Sequence, residues 1–310
     1  MKIKEILDSV ENLSNGRNYW FVRTEYGKHF DQFYEGNFIG IGWGYITLRD
    51  FKNLSSSQIR SKIAKKELLD DSDSKQKGKI TAIYNKLERF LKLKKGDIIV
   101  VPSRKSQRLA FGEIQDDNNY EEGNSKDSFA KRRNVKWIEN KSIFDLDPYF
   151  FRLKINQHSI SDINSFAPYI DKEVGSLFKR GEKIHYVLTI EKKDDINFKT
   201  LSGLLENIEN ILKDINKDLK FNEDEDEFFV KMNLQSPGKI EIIRDGKSLA
   251  ILSYLLFVTS CGGADKINDA NLKQVYDRNS VKLEKTIKQL DSLDINRDHM
   301  IEPFVDKNGK

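Results

Sequence analysis

Apolar residues recur at regular spacings along most of the chain, and the spacing changes with position. Ile3, Ile6, Leu7, Val10 and Leu13 share one helical face and predict a helix over residues 2–13, which the Asn15-Gly16 pair turns out of. Short apolar runs at 19–22 and 37–43 read as strands. Residues 52–79 are polar with sparse apolar positions and predict short helices and a loop. Ile80, Ile83, Tyr84, Leu87, Phe90 and Leu91 mark a helix over 80–93, closed by Gly96-Asp97. Strands are predicted at 98–101, 109–114 and 133–138, with a basic loop at 102–108 and an acidic surface loop at 116–130. Two helical segments follow at about 159–165 and 170–178.

The pattern restarts after Arg180-Gly181. A strand is predicted at 185–191, and Leu201, Leu204, Leu205, Ile208, Ile211, Leu212, Ile215 and Leu219 repeat as one long helical stripe. Two strands at 227–234 and 239–243 flank the turn signal Ser236-Pro237-Gly238. A mostly apolar run fills 248–260, and a last helix spans 275–293. Residues 248–264 carry no charge. That length is at the bottom of the roughly 17–25 residues a membrane span needs, and its Ser, Thr and Gly content favours a buried core helix over a membrane segment.

The order of elements predicts an α+β chain in two parts: a small barrel of short strands with flanking helices over 1–185, and a smaller α+β domain over 186–310. No internal repeat is found. The length, 310 residues, agrees with two domains. One cysteine excludes an intramolecular disulfide framework and a cysteine zinc site, and Cys261 reads as buried and inert. The first sixteen residues are amphipathic and acidic, unlike a signal peptide, so cytoplasmic residence is the expectation.

Charge divides unevenly. Residues 1–185 carry 34 Lys and Arg against 26 Asp and Glu, whereas 186–310 carry 19 against 23. The excess of +8 directs a polyanion to the first half. Arg104, Lys105 and Arg108 stand in one loop, Lys131, Arg132 and Arg133 before a strand, and Lys62, Lys65 and Lys66 form a third set.

Catalytic patterns are not found. His29, His158, His185 and His299 have no metal-ligand spacing, and no phosphate-cradling GxxxxGK[ST] occurs. Glu191-Lys192-Lys193 and the Glu227 to Lys231 interval do not fit the Asp…Glu-x-Lys pattern of a restriction nuclease. The acidic run 223–227 reads as a solvated linker. No metal or cofactor is expected.

One ordered set of motifs is more informative. It runs Asn18-Tyr19-Trp20-Phe21-Val22-Arg23, Asp31-Gln32-Phe33, Ile39-Gly40-Ile41-Gly42-Trp43, Gly96-Asp97-Ile98-Ile99-Val100-Val101-Pro102-Ser103, Phe111-Gly112-Glu113-Ile114 and Arg132-Arg133-Asn134-Val135-Lys136-Trp137. This set resembles the EVE-like branch of the PUA/EVE/YTH superfamily, which supplies recognition domains to modification-dependent restriction and phage-defence proteins. The chain departs from that branch after Trp43, where Gly44-Tyr45-Ile46 replaces a longer signature. The resemblance implies a small β-barrel that takes a base, often a modified one, into an aromatic pocket. Trp43 would supply a stacking face, with Phe33 and Tyr34 as a second wall and Arg23 and Ser103 as polar contacts. Trp20 and Trp137 read as core. Arg104, Lys105, Arg108, Lys131 and Arg132 would meet the backbone of a nucleic acid, DNA with modified bases in first place.

Two other classes compete. One is a modification-dependent nuclease with an unrecognised site in the C-terminal half. The other is a defence sensor or effector that oligomerises, binds a protein partner or attaches to a membrane through that half.

Overall fold

The computed structural model describes residues 1–13, 16–122, 129–156, 158–233 and 238–304. The turns expected at Asn15 and at Ser236-Pro237 lie outside the described residues. The chain forms two compact units, one of residues 17–170 and one that joins residues 1–16 to residues 171–310. The division at 185 expected from sequence therefore shifts to 170, and the N-terminal helix leaves the first unit.

The reason lies in the pairing. Helix α1 (Ile3–Ser9) stops short of residue 13, and strand β1 (Glu11–Asn12) takes up the chain. β1 pairs in parallel with a strand at Leu177–Arg180, within the C-terminal unit.

The unit 17–170 contains β2 (Tyr19–Val22), α2 (Phe30–Glu35), β3 (Phe38–Ile41), α3 (Leu48–Asn53), α4 (Ser56–Glu67), α5 (Ser74–Leu91), β4 (Ile98–Pro102), β5 (Arg108–Ile114), β6 (Tyr120–Glu121), β7 (Lys131–Ser142) and β8 (Ile160–Asp162). Its sheet runs β3-β7-β5-β4-β2-β8, with β6 on β7. Residues 131–134 of β7 pair with β3 and residues 135–142 with β5, across a bulge at Phe111/Gly112. A long strand shared this way, with a bulge that raises local twist, curls the sheet into a half-barrel. The architecture is mixed α+β.

Helix α5 packs into the core of this unit with the stripe seen in sequence: Ile80, Ile83, Tyr84, Leu87 and Phe90 are buried. The polar stretch before it forms α3 and α4, each opened by a capping box at Thr47 and Ser55. The helix expected near 159–165 is instead β8, paired with β2. Strand pairing decides the conformation of so short an apolar run.

Helix α6 (Ala167–Val174) spans the division at 170, and the other unit continues with β9 (Leu177–Arg180), β10 (Lys183–Ile190), α7 (Phe198–Asp218), β11 (Phe228–Asn233), β12 (Gly238–Asp245), α8 (Ser248–Ser260), α9 (Ala270–Ser292) and α10 (Arg297–Ile301). The sheet order is β1-β9-β10-β12-β11. The second helix expected at 170–178 is thus split into the end of α6 and β9. Every residue of α8 from Ser248 to Val258 is buried, which accounts for its uncharged sequence. Among the described residues no helix is long and apolar enough to cross a membrane. Cys261, expected inside, is exposed where α8 ends.

Glu223 is not part of a solvated linker. Its buried carboxylate accepts from the Arg244 Nε at 3.0 Å and from the Ser248 amide at 2.8 Å, at the start of α8.

Candidate nucleic-acid interface

A pocket of about 680 Å³ opens in the unit 17–170. Strand β3 ends in Gly42-Trp43-Gly44, and the Trp43 ring forms one wall. Phe90 from α5, Ile160 from β8 and Phe129 form others, and Arg23, Glu25, Tyr26, Lys154 and Ser159 supply the polar lining. The volume falls within the roughly 300–1,000 Å³ of small-molecule sites. Two cations and one carboxylate line it, so its charge favours an anionic or electron-rich ligand.

Trp43 is half-buried and has φ +58°, a left-handed conformation that a bulky residue adopts only under constraint. The constraint comes from below. Lys131 is fully buried, and its ammonium donates to the carbonyls of Trp43 at 2.9 Å and Ile46 at 2.8 Å. The Ile46 amide closes the turn by donating to the same Trp43 carbonyl at 3.0 Å. Burial pulls the Lys131 pKa down to about 8, against a smaller upward pull from Glu121 and Asp50. From above, the Lys86 ammonium lies 5.5 Å from the centre of the Trp43 ring.

Gly40 fixes the Phe129 wall. A Cβ there would stand 2.8 Å from the Phe129 Cβ, so only glycine lets the Phe129 ring lie against β3. Phe129 in turn rests edge-on against Phe33, with centroids 5.2 Å apart.

Arg23 leaves the end of β2 with its amide donating to the Ser159 carbonyl at 3.0 Å and its guanidinium donating to the Asn156 carbonyl. The chain then turns sharply through Glu25, Tyr26 and Gly27, all at positive φ. A Cβ on Gly27 would lie 2.1 Å from the Arg104 amide nitrogen, so this turn packs directly on the basic loop. A second recess of about 160 Å³ lies there, lined by Arg23, Tyr26, Gly27, Pro102, Ser103, Arg104, Lys105 and Ser106.

The structure brings Trp43 and Arg23 into one pocket and separates the other expected members. Phe33 is fully buried, because α2 turns Phe30 and Phe33 together into the core. It backs the wall and does not form it. Tyr34, on the same helix, stacks on Phe30 and meets Trp137 at a tilt, outside the pocket lining. Ser103 is absent from the Trp43 pocket and lines the second recess, where its Oγ accepts from the Arg108 amide at 2.8 Å.

The basic residues also divide. Arg104 and Lys105 are exposed. Arg108 is exposed but holds Asn140, through the side-chain oxygen at 2.9 Å and the carbonyl at 2.6 Å. Lys131 is committed to the Trp43 turn. Arg132 pairs with Glu122 at 2.6 Å and covers the Phe38 ring. Phe129, Lys154 and Tyr26 were missed in sequence. Phe129 and Tyr26 stand outside the expected strands, and nothing local distinguishes a pocket aromatic from any other.

Asp97 is buried at the turn just before β4. It accepts from the Trp20 Nε1 at 3.0 Å, the Asn18 amide at 3.1 Å and the Lys94 amide at 3.0 Å. The Gly96-Asp97 turn signal is therefore also a polar hub that ties β2 to β4. Among the described residues no group of three or more His, Cys, Asp or Glu side chains could hold a metal ion.

Residues 20–164 match the model of a family described only as a domain of unknown function, DUF8426. The match covers under half of the chain and lies wholly within the unit that holds the pocket. No curated protein and no solved structure matches the chain.

Proposed function

We propose that the unit 17–170 is a nucleic-acid reader that takes a flipped, modified base into the Trp43 pocket. The observation that carries this reading is the shared pocket of Trp43 and Arg23, with Phe129 and two cations on its lining. A flipped base needs a ring to stack on and polar groups for its edge, and this lining supplies both. The charge supports the same reading. Residues 17–170 contain 28 Lys and Arg against 20 Asp and Glu, so the excess of +8 falls on the pocket-bearing unit. The motif order that resembles the EVE-like branch lies in this unit, and with it comes a role in restriction or phage defence.

The test is binding of the full chain to single-stranded and duplex DNA and RNA carrying cytosine, 5-methylcytosine, 5-hydroxymethylcytosine, adenine or N6-methyladenine, at two salt concentrations. The reading expects tighter binding to one modified base and loss of that preference in Trp43→Ala. Equal and negligible binding to every probe overturns it.

The second unit is assigned to assembly with another copy of the chain. β11 lies at the edge of its sheet and leaves Phe229 and Met232 about half exposed. Sedimentation across a concentration series tests this, with a monomer at all concentrations as the contrary result.

A further inference from the structure

Residues 143–155 follow β7 as two 3-10 segments that present apolar side chains on both sides. Ile143, Leu146, Phe150 and Leu153 are buried and anchor the segment. Phe144 is 72% exposed, Phe151 37% and Ile155 80%. The period of three in a 3-10 helix sets Phe150 and Leu153 on the inner line and Phe151 and Lys154 on the outer one. The outward aromatics are therefore held by their buried neighbours in a fixed position.

They are also arranged. The Phe144 and Phe151 rings meet edge to face at 5.7 Å. The Lys154 ammonium lies 4.7 Å from the Phe151 centroid and 5.6 Å from that of Phe144. The same Lys154 lines the Trp43 pocket. Tyr26, 87% exposed, lies on that lining too, with the Arg23 guanidinium 5.9 Å from its ring centre. Exposed rings paired with cations thus continue outward from the pocket.

We propose that Phe144, Phe151 and Lys154 form a stacking platform for the unpaired nucleotides that flank the base in the pocket, so that the substrate is single-stranded nucleic acid. The inference rests on the base-reading proposal and adds strandedness to it. Charge complementarity selects this occupant: a stacked strand carries a phosphate past each ring, and Lys154 and Arg23 stand beside the rings. Every base offers a face to stack on, so the platform tolerates sequence while the pocket discriminates. A duplex hides those faces and offers only its phosphates.

The test compares wild type, Trp43→Ala, the double variant Phe144→Ala/Phe151→Ala and the conservative Phe144→Trp/Phe151→Trp. Probes are a twelve-nucleotide single strand, its duplex and a single nucleoside monophosphate, all carrying the preferred base. The double alanine variant is expected to lose roughly 10-fold or more on the single strand, to bind the monophosphate and the duplex as wild type does, and to be rescued by tryptophan. Phe144 is largely exposed but Phe151 only 37%, so a modestly lower melting temperature is expected, and binding is compared below the unfolding range of every variant. Unchanged binding to the single strand overturns the platform, and so does an equal loss on the monophosphate. If the variant loses self-association but keeps strand binding, the surface is a protein interface and the proposal fails. Loss of preference in Trp43→Ala beside an unaffected double alanine variant removes the platform and keeps the pocket. The reverse pattern keeps strand stacking and removes the base reading.

Discussion

The Lys131 ammonium, buried inside the fold, lies 2.9 Å from the carbonyl oxygen of Trp43, whose ring walls the pocket. A residue that reads in sequence as a phosphate ligand thus supports the backbone of the stacking residue. Lys131→Met removes a donor from the Ile46 carbonyl and one of the two donors of the Trp43 carbonyl, which keeps the Ile46 amide; an unsatisfied buried acceptor costs about 1–3 kcal/mol. The variant is expected to unfold at lower urea concentration and to lose base preference together with Trp43→Ala. Its salt dependence of binding stays that of wild type, because Lys131 meets no phosphate. Urea melts and binding at two salt concentrations check both parts.

The same lysine gives stability a pH dependence of known sign. In the folded chain its pKa is pulled down to about 8, against 10.5 for an ordinary lysine. Between those values the unfolded chain binds more protons than the folded one, so stability rises with pH. Below about pH 8 the cost of burying the ammonium is fully present. The neutral amine keeps two N–H donors, enough for both carbonyls. The gain in urea midpoint from about pH 7.5 to about pH 9.5 is therefore expected to be larger in wild type than in Lys131→Met. Equal pH responses in the two proteins contradict this assignment.

Salt dependence separates the basic residues that sequence grouped together. Arg104 and Lys105 are exposed beside the second recess. Each phosphate that a variant no longer neutralises lowers the slope of log K against log salt by roughly 0.7–0.9. Arg104→Ala and Lys105→Ala are expected to weaken all nucleic acids alike and to flatten that slope. Arg132→Ala breaks the Glu122 pair and uncovers Phe38, so it acts on stability first. A titration series from low to physiological salt distinguishes the two classes.

What the sequence disclosed follows from how far its signals reach. The α5 and α7 stripes were legible because helical spacing is local and their buried faces are continuous: Ile80 to Phe90 and Leu204 to Ile215 mark the inward sides. β8 was not legible, since three residues carry no period and their strand state comes from pairing with β2, some 140 positions earlier. Trp43 and Arg23 were found through their places in the motif order. Phe129 was not, because its place against β3 depends on a glycine 89 positions away that lets it approach. The burial of Lys131 is likewise invisible in a run of three cations.

Gly40 gives that wall a direct test. A methyl group at this position would lie 2.8 Å from the Phe129 Cβ and 3.3 Å from its carbonyl oxygen. Gly40 also sits in the β3–β7 register opposite Arg132, so the strand cannot retreat without breaking its ladder. Gly40→Ala is expected to cost about 1–3 kcal/mol, as overpacking does, and to push Phe129 into the pocket. Affinity for the preferred base falls while the slope of the salt dependence is kept. A crystal structure of the variant, or paired affinity and unfolding measurements, checks the displacement.

Glu223 and Arg244 supply the last prediction, in the C-terminal unit. The Arg244 side chain is fully buried, and the Glu223 carboxylate is its ion-pair partner at 3.0 Å. The same carboxylate accepts from the amide of Ser248 at 2.8 Å and from its hydroxyl, and so caps the start of α8, the most thoroughly buried helix of the unit. Removing one partner of a buried pair leaves the other charge uncompensated, at about 3–5 kcal/mol. Glu223→Ala is thus expected to unfold this unit at markedly lower temperature, whereas Glu225→Ala, an exposed neighbour in the same acidic run, changes little. Base binding serves as the control. The pocket lies in the other unit, so Glu223→Ala protein below its unfolding temperature retains wild-type preference for the modified base. Thermal unfolding followed beside binding at one fixed low temperature measures both.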